Sequence, residues 1–142
     1  SLWFPIVFAR ALKKNKKSGS IINLSSIYGL VAQDQNIYKN TNITENIVYN
    51  YNKSGLINFT KALASKYTKN GIRSNVVCPG GVINKSDKFQ NSYFLKNYAK
   101  RVPISRLAKP SEIASVILFL ASDSSSYLSG STIVVDGGWL SI

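Results

Sequence analysis

The segment with the clearest structural pattern, residues 46–81, reads NIVYNYNKSGLINFTKALASKYTKNGIRSNVVCPGG. Apolar side chains recur at intervals of three and four, which predicts an amphipathic helix over residues 46–68. Asn70 and Gly71 follow, and asparagine or glycine commonly lies just past a helix end. Residues 72–78 are a short apolar run that predicts a buried strand, and the following Pro-Gly-Gly predicts a sharp turn. A helix that leads directly into a buried strand is a unit of α/β proteins.

The same alternation extends in both directions from this segment. Predicted helices cover residues 2–12, 46–68 and 109–121, and predicted strands cover residues 20–25, 72–78 and 132–135. Residues 26–45 and 82–102 are polar and predict irregular segments. Alternating helices and short apolar strands predict an α/β fold with a parallel sheet of three strands, three main helices and right-handed crossovers. Ligands of such sheets bind beyond the carboxyl ends of the strands.

Length and composition exclude several classes of protein. The chain has 142 residues, of which 44% are hydrophobic, and this suits one domain with a buried core. It has no histidine and one cysteine, Cys78, which excludes a Ser-His-Asp triad, a His-ligated metal site and an internal disulfide made by this chain alone. No apolar run approaches the ~20 residues of a membrane span. We therefore predict no metal site and no membrane partner.

The net charge of +12 raises the question of an anionic partner. The basic residues are scattered, apart from the lysines of residues 13–17, and only four of the 18 are arginine. Aromatic residues fall mostly on helix stripes instead of alternating with basic ones on one surface. We therefore predict a small-molecule partner and no nucleic acid, and keep a basic binding module as the alternative from a different class.

Two side chains of the long helix, with serines at the end of the first strand, suit carbonyl chemistry. Tyr49 and Lys53 are four residues apart, so they share one helix face. A lysine ammonium favours the phenolate form of a nearby tyrosine, and a serine hydroxyl can hydrogen-bond a carbonyl oxygen. Tyrosine, lysine and Ser25 or Ser26 could thus form a proton relay. The alternative is that Tyr49 is a half-buried packing residue, and the spacing by itself leaves both open.

Four motifs occur in a fixed order around these residues. They are IINLSSIYG at residues 21–29, YNYNKSGL at 49–56, GIRSNVVCPGG at 71–81 and LSGSTIVVDGG at 128–138. With them the chain resembles the short-chain dehydrogenase/reductase family over nearly all of its length. The resemblance implies a Rossmann-type doubly wound sheet. It also implies hydride transfer between NAD or NADP and a carbonyl or secondary alcohol.

The resemblance assigns roles to the relay residues. Tyr49 matches the catalytic tyrosine of the family, and Lys53 matches the lysine that also holds the nicotinamide ribose. Ser26 matches the family serine through its distance from Gly29, with Ser25 as the alternative. Cys78, at a strand end, is interpreted as a small buried hydrophobic residue.

The resemblance also implies cofactor contacts in the turn after the second strand. Pro79 and Gly80 match the turn beside the nicotinamide, and the backbone near Val82 would meet the carboxamide. Asn84 stands where the family often has threonine and could bind an amide or a phosphate. A solvated loop asparagine is the alternative for Asn84.

The chain departs from the family pattern at its start. It has no Gly-rich turn of the kind that binds a dinucleotide pyrophosphate and no acidic residue that would select NAD over NADP. We therefore expect residues 1–142 to be the carboxyl-terminal, catalytic part of one Rossmann-type domain, with the amino-terminal half missing. The family implies a cytoplasmic enzyme, and helices 2–12 and 46–68 resemble those that pair in its dimers. A homodimer or homotetramer of the full-length protein is expected.

A second departure lies between Ser26 and Tyr49, which are 23 positions apart, a longer spacing than is usual in the family. We call the additional stretch, residues 34–46, the insert. It is rich in Asn, Tyr and Thr, and we expect it to lie beside the site. Tyr28, Tyr38 and Tyr51 are candidate pocket residues, and the alternative is that they only pack the insert. A surface loop without a ligand role is the alternative for the insert. Residues 25–32, followed by Ile37-Tyr38 and Thr41-Asn42, resemble a subgroup from bacterial surface-sugar pathways, which includes the flagellin-modification and nonulosonate oxidoreductases.

Residues 84–101 match the family's substrate loop. Its basic residues could receive a phosphate or a carboxylate, and a solvated lysine-rich loop is the alternative. A fatty-acid-type ketoacyl reductase is a second candidate within the family, because an acidic carrier protein would fit a basic surface. The insert argues against that candidate. A non-catalytic assembly module is a further alternative, which the presence of Ser26, Tyr49 and Lys53 disfavours.

Overall fold

The computed structural model describes residues 2–84 and 92–142. Its helices are α1 (Trp3–Lys14), α2 (Ile47–Tyr67), α3 (Ser92–Arg101) and α4 (Pro110–Ala121), and its strands are β1 (Gly19–Leu24), β2 (Ile72–Pro79) and β3 (Thr132–Val135). The strands lie in the order β1-β2-β3, and both neighbouring pairs are parallel. The predicted α/β fold with a three-stranded parallel sheet is confirmed, with each strand boundary within one residue.

Alternate side chains of the strands pack on opposite faces of the sheet. Ile21 and Ile72 pack with Ala9 of α1 and Leu63 of α2. On the other face Val77 packs with the apolar stripe of α4, which includes Ile113 and Leu120. Because the strands are covered on both faces, their backbones are buried and their carboxyl ends form one accessible edge. No helix of the described residues is both long enough and apolar enough to cross a membrane.

One helix was not predicted. Residues 82–102 read as an irregular polar segment, but residues 92–101 form α3. Phe94, Leu95 and Tyr98 of this helix pack on a cluster that also contains Ile27, Ile37 and Trp139. These partners are distant in sequence, so the packing that stabilises the helix leaves little trace in its own composition. Residues 85–91, which include Lys85, Lys88 and Phe89 of the predicted substrate loop, lie outside the described residues.

The segment before α4 is held by an ion pair and connects to the turn after β2. The Arg106 guanidinium donates two hydrogen bonds of 2.8 Å to the Glu112 carboxylate, which also accepts the backbone N–H of Lys109 at 2.7 Å. Ala108, between them, forms a parallel bridge with Val82. Arg106 therefore positions backbone beside the cleft.

Because Glu112 is paired in the folded protein, we predict that the free energy of unfolding depends on pH. Hydrogen bonds from Arg106 and then from the Lys109 N–H lower the pKa of Glu112 from 4.5 to about 2. Because the folded pKa lies below the unfolded one, the stabilisation is present above about pH 4.5 and is lost as the pH falls toward 2. Urea unfolding should show that the free energy of unfolding falls less between pH 4.5 and about 2 in Glu112→Gln than in the wild type. Equal slopes in both proteins would contradict the prediction.

Candidate active site

A cleft of about 590 Å³ opens at the carboxyl edge of the sheet. This volume lies within the range of small-molecule sites. The cleft is lined by the ends of β1 and β2, the first turns of α2, part of the insert and α3. Its lining residues include Ser25, Ser26, Tyr28, Tyr38, Tyr49, Lys53, Pro79, Gly80, Gly81, Val82, Phe94 and Tyr98. Among the described residues that line it, Lys53 is the one charged side chain.

The loop after β1 is fastened to α2 at the turn that carries the relay pair. The Ser25 hydroxyl donates to the carbonyl oxygen of Lys53 at 2.8 Å, and the Ser54 hydroxyl donates to that of Gly29 at 2.8 Å. A Cβ on Gly29 would lie 2.9 Å from the backbone carbonyl of Lys53, so only glycine allows this approach. The strand end and the helix are thereby held in one fixed arrangement.

Tyr49 and Lys53 lie on the face of α2 that borders the cleft. The Lys53 ammonium lies 5.4 Å from the centre of the Tyr49 ring and donates to the carbonyl oxygen of Leu24 at 3.0 Å. Burial lowers the pKa of Lys53. This hydrogen bond anchors the ammonium at the end of β1. The predicted sharing of one helix face is confirmed, while the catalytic roles remain predictions.

The two adjacent serines differ in their hydrogen bonds. Ser25 is buried and its hydroxyl hydrogen is used by the Lys53 carbonyl. The Ser26 oxygen accepts the backbone N–H of Tyr28 at 3.2 Å, which leaves its own hydrogen available to a further acceptor. Ser26 can therefore donate to a substrate oxygen in this arrangement, whereas Ser25 would first have to break an internal bond.

The turn after β2 forms the opposite wall of the cleft. Pro79, Gly80 and Val82 line the cleft, while Asn84 is exposed and does not belong to the lining residues. Ile83 donates to the Ala108 carbonyl and Ala108 donates to the Gly81 carbonyl, both at 2.8 Å. This bridge leaves the backbone groups of Val82 directed to the opposite side. A cofactor role for any of these residues stays a prediction.

The three candidate pocket tyrosines have different environments. Tyr38 lines the cleft and stacks on Phe94 with ring centres 6.3 Å apart. Tyr28 also lines the cleft, but its ring packs edge-on against Trp139 and its hydroxyl oxygen is buried. Burial raises the pKa of both tyrosines, so their hydroxyls stay protonated. The prediction for Tyr51 is wrong, because its side chain is 78% exposed and does not line the cleft.

Tyr98 lines the cleft and was not among the predicted site residues. It is buried, and its hydroxyl accepts the backbone N–H of Gly81. A Cβ on Gly81 would lie 2.6 Å from the Tyr98 ring, so this turn packs directly on the aromatic ring. The sequence offered two signals for this packing, the Gly80-Gly81 pair and the aromatic residues four positions apart at 94 and 98. No local pattern shows that the two are in contact. Gln33, Thr44 and Asn46 of the cleft wall were missed as well.

A tyrosine, a lysine and a serine together at the carboxyl edge of a parallel sheet define the class of dehydrogenase-like α/β proteins. The family model described as enoyl-(acyl carrier protein) reductase matches residues 4–140. The chain belongs to the short-chain dehydrogenase/reductase family.

Two curated relatives show the breadth of this family. The chain is 40% identical to the 3-oxoacyl-(acyl-carrier-protein) reductase of Chlamydia trachomatis serovar D over 122 residues, which is 86% of this chain and 45% of the relative. It is 34% identical to the 2-keto-3-deoxy-L-fuconate dehydrogenase of Xanthomonas campestris pv. campestris over 128 residues, 85% of this chain and 40% of that protein.

The fold agrees with solved structures. A short-chain dehydrogenase from Leptospira borgpetersenii, solved with bound NAD+, superposes with a TM-score of 0.83 at 37% identity. The match covers 92% of this chain and 48% of that one. The chain spans between 24% and 48% of the length of the curated relatives that it matches.

Proposed function

We propose that the protein interconverts a carbonyl and a secondary alcohol by hydride transfer with NAD or NADP, through a relay of Ser26, Tyr49 and Lys53. The observation that carries this proposal is the meeting of the three side chains in one cleft at the carboxyl edge of the sheet. The Leptospira relative contains NAD+ and a putative 2-deoxy-D-gluconate 3-dehydrogenase from Agrobacterium tumefaciens contains NADP, which supports either cofactor.

The relay follows from the donors and acceptors of these residues. The Ser26 hydroxyl donates to the substrate oxygen and polarises the carbonyl, and Tyr49 transfers its proton to that oxygen as the alcohol forms. The Lys53 ammonium, anchored on Leu24, stabilises the phenolate that remains. In the reverse direction Tyr49 takes the proton from the alcohol. The bound nicotinamide supplies or accepts the hydride.

The residues present fit the nicotinamide end of such a cofactor. The Lys53 ammonium would bind the ribose hydroxyls, and the backbone of Val82, directed away from Ala108, would face the carboxamide. Pro79 and Gly80 bring this backbone to the edge of the cleft. Asn84 would contact an amide or a phosphate farther along the cofactor.

We propose a modified sugar as the substrate. The cleft wall contributed by the insert and its neighbours carries the amide or hydroxyl side chains of Gln33, Tyr38, Thr44 and Asn46, which suit a polyhydroxylated molecule. The name of the Xanthomonas relative also refers to a sugar-derived substrate. A ketoacyl-carrier-protein substrate is the second candidate, which the 40% identity to the Chlamydia reductase favours.

A dimer or tetramer in the cytoplasm completes the proposal. The side chains of Trp3, Phe4 and Val7 on α1 are more than half exposed. Apolar patches of this kind mark protein interfaces, which supports an oligomer. A non-catalytic assembly module would use the same surface but would not need the relay.

The test uses the full-length protein. NADH and NADPH are titrated by fluorescence, and turnover is then measured on keto-sugars, free, phosphorylated and nucleotide-linked, and on a ketoacyl thioester. Ser26→Ala should lower kcat about 10²-fold, since it removes one donor to the oxyanion. Ser25→Ala is the matched variant, and it should mainly lower stability, by about 1 kcal/mol. Failure to bind either nucleotide would overturn the proposal, and turnover of the thioester alone would favour the second candidate.

A further inference from the structure

The insert and α3 form one continuous cover along the cleft, and Tyr98 of α3 also packs on the turn after β2. Ile37, Tyr38, Ile43 and Thr44 of the insert line the cleft, and so do Phe94 and Tyr98 of α3. Ile37 and Tyr98 are buried in the same apolar cluster. The two segments are about sixty residues apart in sequence, so their contact is a property of the tertiary structure.

Polar contacts from Asn97 and Arg101 of α3 also join the two segments. The Asn97 amide donates to the carbonyl oxygens of Lys39 at 2.9 Å and Ile37 at 3.3 Å. Beside them the guanidinium Nε of Arg101 donates to the Asp34 carboxylate at 3.1 Å. The backbone and side-chain groups of Asn36 and then Arg101 lower the pKa of Asp34, so the carboxylate is charged at neutral pH.

Arg101 also joins the cover to the last turn of the chain. Its guanidinium lies 4.7 Å from the centre of the Trp139 ring, and it reaches the carbonyl oxygens of Trp139 and Ile142 at 3.5 Å. The Arg101 side chain is 30% exposed and does not line the cleft. An isolated exposed ion pair contributes little to stability, but here the same guanidinium binds a carboxylate, an aromatic face and two backbone carbonyl oxygens.

We propose that Arg101 is a positioning residue that fastens the insert to α3, so that the two segments act as one cover that binds the substrate distal to its reacting carbon. This inference rests on the proposed oxidoreductase function. It adds that Arg101, by holding the cover together, determines the affinity for the substrate. The described residues of the insert and α3 that line the cleft are all uncharged. The cover therefore favours the hydroxyl groups of a substrate over an anionic group at this wall.

The variant Arg101→Gln removes the charge and the bond to Asp34. In the full-length protein we expect KM for the preferred carbonyl substrate to rise about tenfold, because one charge-assisted hydrogen bond is lost, with kcat within about twofold. Arg101→Lys keeps a cation near Asp34 but loses the planar stacking on Trp139, so KM should rise by less. Lys69→Gln, which removes an exposed positive charge outside both the cleft and the proposed oligomer surface, should leave both constants unchanged.

A readout without activity separates this inference from the function on which it rests. Amide hydrogen exchange of residues 36–43 should be faster in Arg101→Gln and in Asp34→Asn than in the wild type, and the double variant should add little. Unchanged exchange together with an unchanged KM would overturn the proposal. A fall in kcat at constant KM would also overturn it. If the wild type turns over no carbonyl substrate, the proposed function fails, and exchange alone decides whether Arg101 fastens the cover.

Discussion

Replacement of Tyr49 by phenylalanine should lower kcat by about 10²- to 10⁴-fold, which is the usual contribution of a general acid or base. The variant removes only the hydroxyl, and the ring that lies 5.4 Å from the Lys53 ammonium remains. The fold and the lining of the cleft should therefore be preserved. Cofactor affinity should change by no more than about threefold, since Lys53 still holds its place on Leu24 through a 3.0 Å hydrogen bond.

The chain offers a matched control on the same helix. Tyr51 is two residues away and 78% exposed, and it does not line the cleft. Tyr51→Phe should keep wild-type turnover, so the pair separates loss of a catalytic proton from any general effect of removing a helix hydroxyl. Steady-state kinetics and a nucleotide titration on both variants of the full-length protein are sufficient. Turnover by Tyr49→Phe at the wild-type rate would assign the proton transfer to another group.

Replacement of Trp139 by alanine should lower the free energy of unfolding by about 3–5 kcal/mol, the range for truncation of a buried aromatic side chain. Trp139 is 2% exposed. Its ring centre lies 4.8 Å from that of Tyr98 and 6.3 Å from that of Tyr28. Both tyrosines belong to the cleft wall, so the cavity would also loosen the support of the Pro79–Gly81 turn.

Trp139→Phe is the graded variant for this prediction. It keeps an aromatic ring against Tyr98 and should lose only part of the stability lost by the alanine variant. Urea unfolding followed by circular dichroism compares the three proteins without depending on tryptophan fluorescence. A loss below about 1 kcal/mol in Trp139→Ala would show that the cluster rearranges to fill the cavity.

Regular elements and the pair on α2 could be predicted because their signals are local. The stripe of α2 repeats every three to four residues, and the short apolar run of β2 ends at a Pro-Gly-Gly turn. The spacing of Tyr49 and Lys53 places them on one helix face without any knowledge of the rest of the molecule. Ser26 needed the family resemblance as well, since local sequence does not distinguish it from Ser25.

The missed features depend on contacts between residues distant in sequence. Helix α3 is stabilised by packing on Ile37 and Trp139. The exposure of Tyr51 depends on which face α2 turns toward the sheet. The basic residues of 84–101 were expected to receive an anionic group of a ligand, yet Arg101 pairs with Asp34, 67 positions earlier.

Local patterns are enough to predict the order of helices and strands, the parallel sheet and the spacing of the relay pair, because periodicity and turn residues act over a few positions. Three contacts emerge only when the chain is folded: the insert rests on α3, Tyr98 supports the Gly81 turn and Arg101 joins three segments. Burial and pairing of a side chain depend on which distant groups surround it, and neither composition nor spacing encodes that neighbourhood.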